Sequence, residues 1–427
     1  MSKTKTATPD ATTARDEIIR ALVAGTMRFH ELPADLPAGE AATIRREALE
    51  RMSGTRLDAI AHYSFDADAA ATRNCENMIG VAQIPMGVVG PLTVHGEHVD
   101  GDVYVPMATT EGALLASINR GCVALRLAGG ATVHVDDVGM TRGPVFRTRS
   151  QRETRAFLAW IRENEATIRE ITESTSRFLK MTEVRSYVFG TTIFLRFRFT
   201  TGDAMGMNMA TIACDRVVRD LIEPRTGIPC VALSGNYCVD KKAASVNFSE
   251  GRGKRIHAEA VLDATILRDV LKTDSRSLVE VQYRKNLLGS IAAGAMGYNA
   301  HYANVLSAFF IATGQDPAHV VGGSTGVTCI EPRENGAVYA SIFIPDAPLG
   351  ATGGGTALAT QSEALKVLGV VPDPERPGHA AMRLAEIIGG AVLAGELSLM
   401  AAFTSSDLAR AHQRLGRGGG PNGDKGA

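Results

Sequence analysis

Residues 387–403 are the longest apolar stretch of the chain, interrupted by a single carboxylate, Glu396, and by several small residues. A bilayer-spanning helix needs about 20 consecutive apolar residues. This stretch is too short and too interrupted for that, so it predicts a buried helix in a protein that stays in water. With 427 residues the chain exceeds one simple core and predicts two or three domains. Its 45% hydrophobic and 21% charged residues can build a sizeable core.

The first 14 residues are polar and rich in Ser, Thr, Ala and Lys, with no apolar core behind the charges. They read as an unstructured start rather than a signal peptide. A net charge of −1, without a basic tract interleaved with aromatics, argues against nucleic acid as the main partner. The six cysteines form no CxxC pair, which predicts reduced thiols and a cytoplasmic protein.

A helical segment is expected over 15–60, broken near Pro33, Pro37 and Gly39. A strand-like alternation follows at 99–105. Then a helix is expected with Thr109 or Thr110 as its N-cap and Glu111 in its first turn. Between 144 and 232 the character changes: a charged helical run at 151–171, strands at 185–188 and 191–200, and a helix from about Met207. That order predicts a compact α+β insert inside a larger domain. The Gly-rich tail over 416–427 reads as flexible.

Lys241 and Lys242 follow the carboxylate of Asp240 in Gly235-Asn-Tyr-Cys238-Val-Asp-Lys-Lys242 and lead into a short alternating apolar stretch. An ammonium held near low-dielectric surroundings stabilises a developing oxyanion better than one in water. A surface lysine pair on a turn is the plainer alternative. Asp203-Ala-Met-Gly-Met-Asn208 opens a helix whose amides suit phosphate and whose methionines suit a flat ring, or whose methionines fill a core. Ser174-Thr-Ser-Arg-Phe178 offers hydroxyls and a guanidinium suited to a phosphate monoester. No GxGxxG occurs, which disfavours a Rossmann domain. Taken singly, Glu111, Asp316, His412 and Gly353-Gly-Gly-Thr356 each have an ordinary structural explanation.

These motifs nevertheless occur in one order together with Glu76-Asn-Met-Ile-Gly80, Pro85-Met-Gly-Val-Val-Gly-Pro91, Thr109-Thr-Glu-Gly112 and Gly314-Gln-Asp316. Over about residues 60–417 the chain closely resembles the catalytic region of the 3-hydroxy-3-methylglutaryl-CoA (HMG-CoA) reductases, of the class I type. The resemblance implies an α+β fold: a large helix-rich substrate domain over 61–143 and 233–415 around a long central helix. An inserted small α+β domain over 144–232 would hold NADPH. It also implies a homodimer or homotetramer with shared active sites, no metal, and reduction of HMG-CoA to mevalonate and CoA with two NADPH per turnover.

By the same resemblance Lys241 holds the substrate carbonyl oxygen, and Glu111 donates a proton from a carboxyl whose pKa burial would raise. Asp316 orders the lysine–glutamate network, and His412 protonates the departing thiolate. Arg142, Ser234, Lys242, Lys285 and Asn304 match substrate contacts. Ser176, Arg177, Phe178, Asp203, Met205, Gly206, Met207, Asn208, Gly354 and Gly355 match the cofactor site, with Arg177 favouring NADPH over NADH. The chain departs from many relatives at Thr404-Ser-Ser-Asp407. That departure leaves open a relative working on another 3-hydroxyacyl thioester or in the oxidative direction.

Overall fold

The computed structural model describes residues 11–404 and divides into two compact units. One runs through Pro85 and includes Ala357–Thr360, so the helical N-terminal part extends past the 60 read from the sequence. It contains α1 (Ala11–Val23), α2 (Ala38–Ser53) and α3 (Ala67–Arg73). α1 thus starts inside the stretch expected to be unstructured. Ile19 and Leu22 of α1 pack with Ile44 and Ala48 of α2. Gly54 ends α2 in the left-handed region, its N–H bonded to the Glu50 carbonyl.

The other unit is a mixed α and β structure built on a ten-stranded sheet. Its first strands are β1 (Met86–His95), β2 (Asp100–Ala108), β3 (Ala131–Arg142) and β4 (Val145–Arg147). β5 (Lys180–Phe189), β6 (Thr192–Thr200) and β7 (Cys230–Ala232) follow, then β8 (Arg252–Leu262), β9 (Val327–Pro332) and β10 (Val338–Ala347). The path β7-β4-β6-β3-β8-β10-β9 is extended by β1, which pairs with β2 and β3, and by β5, which pairs with β6.

β3 serves two neighbourhoods. Residues 132–139 pair antiparallel with β8, and residues 140–142 pair with β6. Between them Gly139 has a φ of 79°, and a Cβ there would lie 2.8 Å from the Phe199 carbonyl oxygen. The strand therefore feeds two separate apolar cores. The smaller joins Phe146, Phe197 and Phe199 to Phe157 and Ile161 of α5 (Gln151–Glu163), Ile168 of α6 (Glu165–Glu173) and Ala213 of α7 (Met207–Val217). Ser150 caps α5 by accepting the Glu153 N–H at 3.2 Å.

The larger core surrounds the central helix His379–Thr404. Among the described residues it alone is long and apolar enough to cross a membrane, yet 78% of its most apolar window is buried. Its small residues let neighbours approach closely. A Cβ on Gly121 of α4 (Leu114–Leu127) would sit 1.9 Å from the Ala394 carbonyl oxygen. Glu396, fully buried, accepts the Ala300 N–H at 2.9 Å, the His301 N–H at 2.7 Å and the Thr328 hydroxyl at 2.6 Å. Glu386 likewise accepts the N–H groups of Glu97, His98 and Val99 at the β1–β2 turn. Each carboxylate on this helix is thus matched to orphan backbone donors.

Candidate active site

Lys241 occupies a loop between β7 and the short helix Ser245–Glu250, with a φ of 56°. The alternating stretch expected after the lysines is that helix instead. The loop is anchored behind Lys241. Asn247 donates to the Val239 carbonyl at 2.9 Å, and Asp240 accepts Arg252 Nη2 at 2.8 Å. The left-handed lysine is held by its neighbours on both sides, which is how a strained residue persists.

The Lys241 ammonium meets Asp316 Oδ2 at 2.7 Å, with side-chain exposures of 44% and 31%. The lysine is therefore exposed in the isolated chain rather than sunk in low dielectric, and the buried charges lie one layer beneath it. Asp316 follows the helix Tyr302–Thr313, which ends on left-handed Gly314. Its Oδ1 accepts the Ala318 N–H at 3.0 Å. Burial pushes the Asp316 carboxyl up, but the Lys241 and Ala318 hydrogen bonds outweigh it and hold the group below the ordinary range.

Beneath this pair lies a cluster that sequence reading missed. Arg252, fully buried, contacts Asp240, the Thr141 hydroxyl at 3.2 Å and the Met207 sulfur at 3.1 Å, with Asp346 Oδ1 at 4.0 Å. Asp346 also accepts Asn247 Nδ2 at 2.8 Å. Burial raises its carboxyl to about 6 despite the nearby guanidinium. His319, 1% exposed, is pushed down to about 4 by burial and then by Arg252.

The Asp203-to-Asn208 loop touches this cluster through Met207. Met207 is buried, with its sulfur on Arg252, rather than offering an open apolar surface. Asp203 is buried too, accepting the Ala381 N–H at 3.0 Å at the start of the central helix. Gly206 has a φ of 94°, and any Cβ there would strike Thr201 at 2.4 Å. Met205 is half-buried and packs against the smaller apolar core, while Asn208 is exposed. The loop is fastened to residues 350–352 by the bond from Ala351 N–H to the Asp203 carbonyl at 2.8 Å. The Asp316 turn is fastened to the same segment: Gln315 Oε1 accepts the Gly350 N–H at 2.9 Å. Gly355 abuts Gly314, a Cβ on Gly355 falling 2.7 Å from the Gly314 carbonyl oxygen, and Gly354 is exposed.

Arg177 is exposed, its guanidinium 4.4 Å from the Phe178 ring centroid, and no described carboxylate lies within ion-pair distance. Ser176 Oγ accepts the Phe178 N–H at 3.3 Å. The remaining predicted residues make no hydrogen bond or ion pair with Lys241. Glu111 is exposed and lies in a turn before α4, not in the helix. Its N–H donates to Thr109 Oγ1 at 3.0 Å, and the helix starts at Leu114 after left-handed Ala113. The burial expected for its carboxyl is absent here. Arg142, at the end of β3, donates to the Thr211 hydroxyl of α7 and keeps a buried, unpartnered Nε.

Ser234 Oγ lies 3.4 Å from Cys238 Sγ, and Lys242 Nζ donates to the Asp240 carbonyl at 3.3 Å. Lys285 is half-buried near Phe403, and burial lowers its pKa against the opposing pull of Glu396. Asn304 is half-buried on the helix Tyr302–Thr313. His412 lies outside the described residues.

The family model for hydroxymethylglutaryl-coenzyme A reductase matches residues 41–417. The 3-hydroxy-3-methylglutaryl-coenzyme A reductase of Methanothermobacter thermautotrophicus is 51% identical over 398 residues, 93% of this chain and 98% of that one. The Pyrococcus abyssi enzyme is 46% identical over 94% of this chain and 99% of its own, and reductase 1 of Arabidopsis thaliana 42% over 94% and 68%. A solved class II enzyme of Streptococcus pneumoniae, bound to NADPH in open conformations, superposes with a TM-score of 0.62 at 17% identity, covering 91% of this chain and 97% of that one. At that identity the likeness speaks for the fold alone. With the motifs in order along nearly the full length of its archaeal relatives, the chain belongs to the hydroxymethylglutaryl-coenzyme A reductase family.

Proposed function

We propose that this protein reduces 3-hydroxy-3-methylglutaryl-CoA to mevalonate and CoA, consuming two NADPH. The observation that carries the reading is the Lys241–Asp316 contact at 2.7 Å in a chain of this family. The Lys241 ammonium stabilises the substrate carbonyl oxygen as negative charge develops on it. Asp316, tethered at Ala318, holds the ammonium at the site until it turns to the substrate oxygen. Glu111 donates the proton of the aldehyde step once a second copy or a closed form buries it, and His412 protonates the thiolate. Arg142, Ser234, Lys242, Lys285 and Asn304 hold the hydroxymethylglutaryl group.

The residues present fit NADPH, which supplies hydride when bound. Arg177 is a free, exposed guanidinium stacked on Phe178 and suited to a 2′-phosphate, with Ser176 beside it. Asn208 and Gly354 are exposed to the cofactor, Met205 and Gly355 lie half-buried beside them, and Asp203, Gly206 and Met207 hold the loop in place. The inserted domain over 144–232 is the cofactor domain in this reading. The protein acts in the cytoplasm as a homodimer or homotetramer with shared sites, as the exposed Glu111, which forms no bond with Lys241, supports. The test is cofactor oxidation with HMG-CoA, run separately with NADPH and NADH. Mevalonate and CoA should appear with NADPH. No turnover by folded protein would refute the reading.

A further inference from the structure

His319 sits on the turn Pro317–His319, directly behind Asp316, with 1% of its surface exposed. Its Nε2 is buried and has no hydrogen-bond partner. It lies 3.8 Å from Asp316 Oδ2 and 3.9 Å from Asp240 Oδ1. Each of those oxygens already holds one cation, Lys241 on Asp316 at 2.7 Å and Arg252 on Asp240 at 2.8 Å. The charged groups facing the imidazole are therefore Arg252, Lys241, Asp240 and Asp316. A lone pair on Nε2 would face two carboxylate oxygens, so the favourable tautomer of the neutral ring carries its proton on Nε2.

The geometry points to His319 as a positioning residue that donates from Nε2–H to Asp316 when Lys241 turns to the substrate oxygen. The inference rests on the proposed role of Lys241. In the resting arrangement the ammonium satisfies Asp316 Oδ2, and the imidazole waits about 0.6 Å beyond hydrogen-bond range. Once the ammonium swings away, Oδ2 is left without a donor in a partly enclosed place. Asp316 is pinned through Oδ1 to the Ala318 N–H, so its carboxylate can pivot toward His319 without losing its anchor. His319 thus lowers the cost of releasing Lys241, an effect felt during turnover and not on substrate binding.

Two measurements test this. In His319→Leu, kcat should fall about 10- to 100-fold, the worth of one hydrogen bond to a charged group. KM for HMG-CoA and NADPH should stay within about threefold, and His319→Gln, which keeps a donor, should recover most of the loss. A His319→Leu kcat within about twofold of the parent overturns the inference, as does a folded His319→Gln no better than His319→Leu. The second measurement needs no activity: the ring's ¹⁵N–¹H signals, assigned by their disappearance in His319→Gln. The parent should show the Nε2–H tautomer, and Lys241→Ala, which frees Asp316 permanently, should shift that proton downfield. An Nδ1–H tautomer, or an Nε2–H signal indifferent to Lys241→Ala, overturns it. Should the parent fail to reduce HMG-CoA, the proposed function falls, while the spectra still decide what His319 does.

Discussion

Replacing Arg252 with Met should be among the most damaging single changes in the buried layer. The guanidinium is fully buried and stands between Asp240 at 2.8 Å and Asp346 at 4.0 Å. Met fills similar volume, so the loss is electrostatic more than steric. Removing one partner of a buried ion pair costs about 3–5 kcal/mol because the remaining charge stays uncompensated. Among the described residues Asp346 keeps only Asn247 as a hydrogen-bond partner.

The pH dependence has a definite sign. The Asp346 carboxyl, at about 6, is raised above its unfolded value. Such a group favours the folded protein at acid pH and loses that advantage as pH rises toward its folded pKa. Without Arg252 the folded pKa climbs further. The parent's decline ends near pH 6 while the variant's continues, at about 1.4 kcal/mol per pH unit. Urea unfolding at about pH 5 and about pH 7.5 should therefore show a larger deficit at the higher pH, by about 1–2 kcal/mol. Adding Asp346→Leu should recover part of it, giving a non-additive double-mutant cycle. A deficit under about 1 kcal/mol, or one equal at both pH values, would refute the reasoning.

Lys241→Ala should lower turnover of HMG-CoA about 100- to 1,000-fold, the range for one lost oxyanion donor, whereas Lys242→Ala should mainly raise KM; steady-state kinetics separate the two. Arg177→Ala should weaken NADPH about 10- to 100-fold, with little change for NADH; an equal effect on both nucleotides would contradict the 2′-phosphate contact. Because Glu111 is exposed and forms no hydrogen bond or ion pair with Lys241 within one chain, inactive Glu111→Gln and Lys241→Ala proteins, mixed under subunit exchange, should regain roughly a quarter of parental activity through hybrid dimers with one intact site. No recovery, with exchange demonstrated, would place both groups in one chain.

The sequence predicted a helix after Thr109 with Glu111 inside it, because Thr-Thr-Glu resembles an N-terminal capping pattern. β2 instead runs through Ala108, and left-handed Ala113 postpones the helix to Leu114. Tertiary pairing overrode the local signal there; after Lys242 the expected alternation became a helix whose Asn247 bonds the Val239 carbonyl and Asp346. Strand β5 runs over Lys180–Phe189, beyond the 185–188 read from periodicity, because its pairing with β6 extends hydrogen bonding into polar residues.

The ordered motifs by themselves determined the family, and the apolar run ending at Phe403 determined that a long helix must be buried. Those signals are local: each is a run of neighbouring residues whose types have one economical use. The layer under Lys241 has no such signature. Asp240, Arg252, His319 and Asp346 are scattered along the chain, and each alone reads as an ordinary charged or polar residue. Only the folding of β8, β10 and the Asp316 turn around one buried guanidinium brings each of them within about 4 Å of another member of the cluster. In the same way the sequence showed Glu396 as a blemish in an apolar helix. The fold made it the acceptor for two backbone N–H groups and a threonine hydroxyl. A buried charge is tolerated only where the tertiary structure supplies its partners, and no pattern of adjacent residues encodes where those partners will come from.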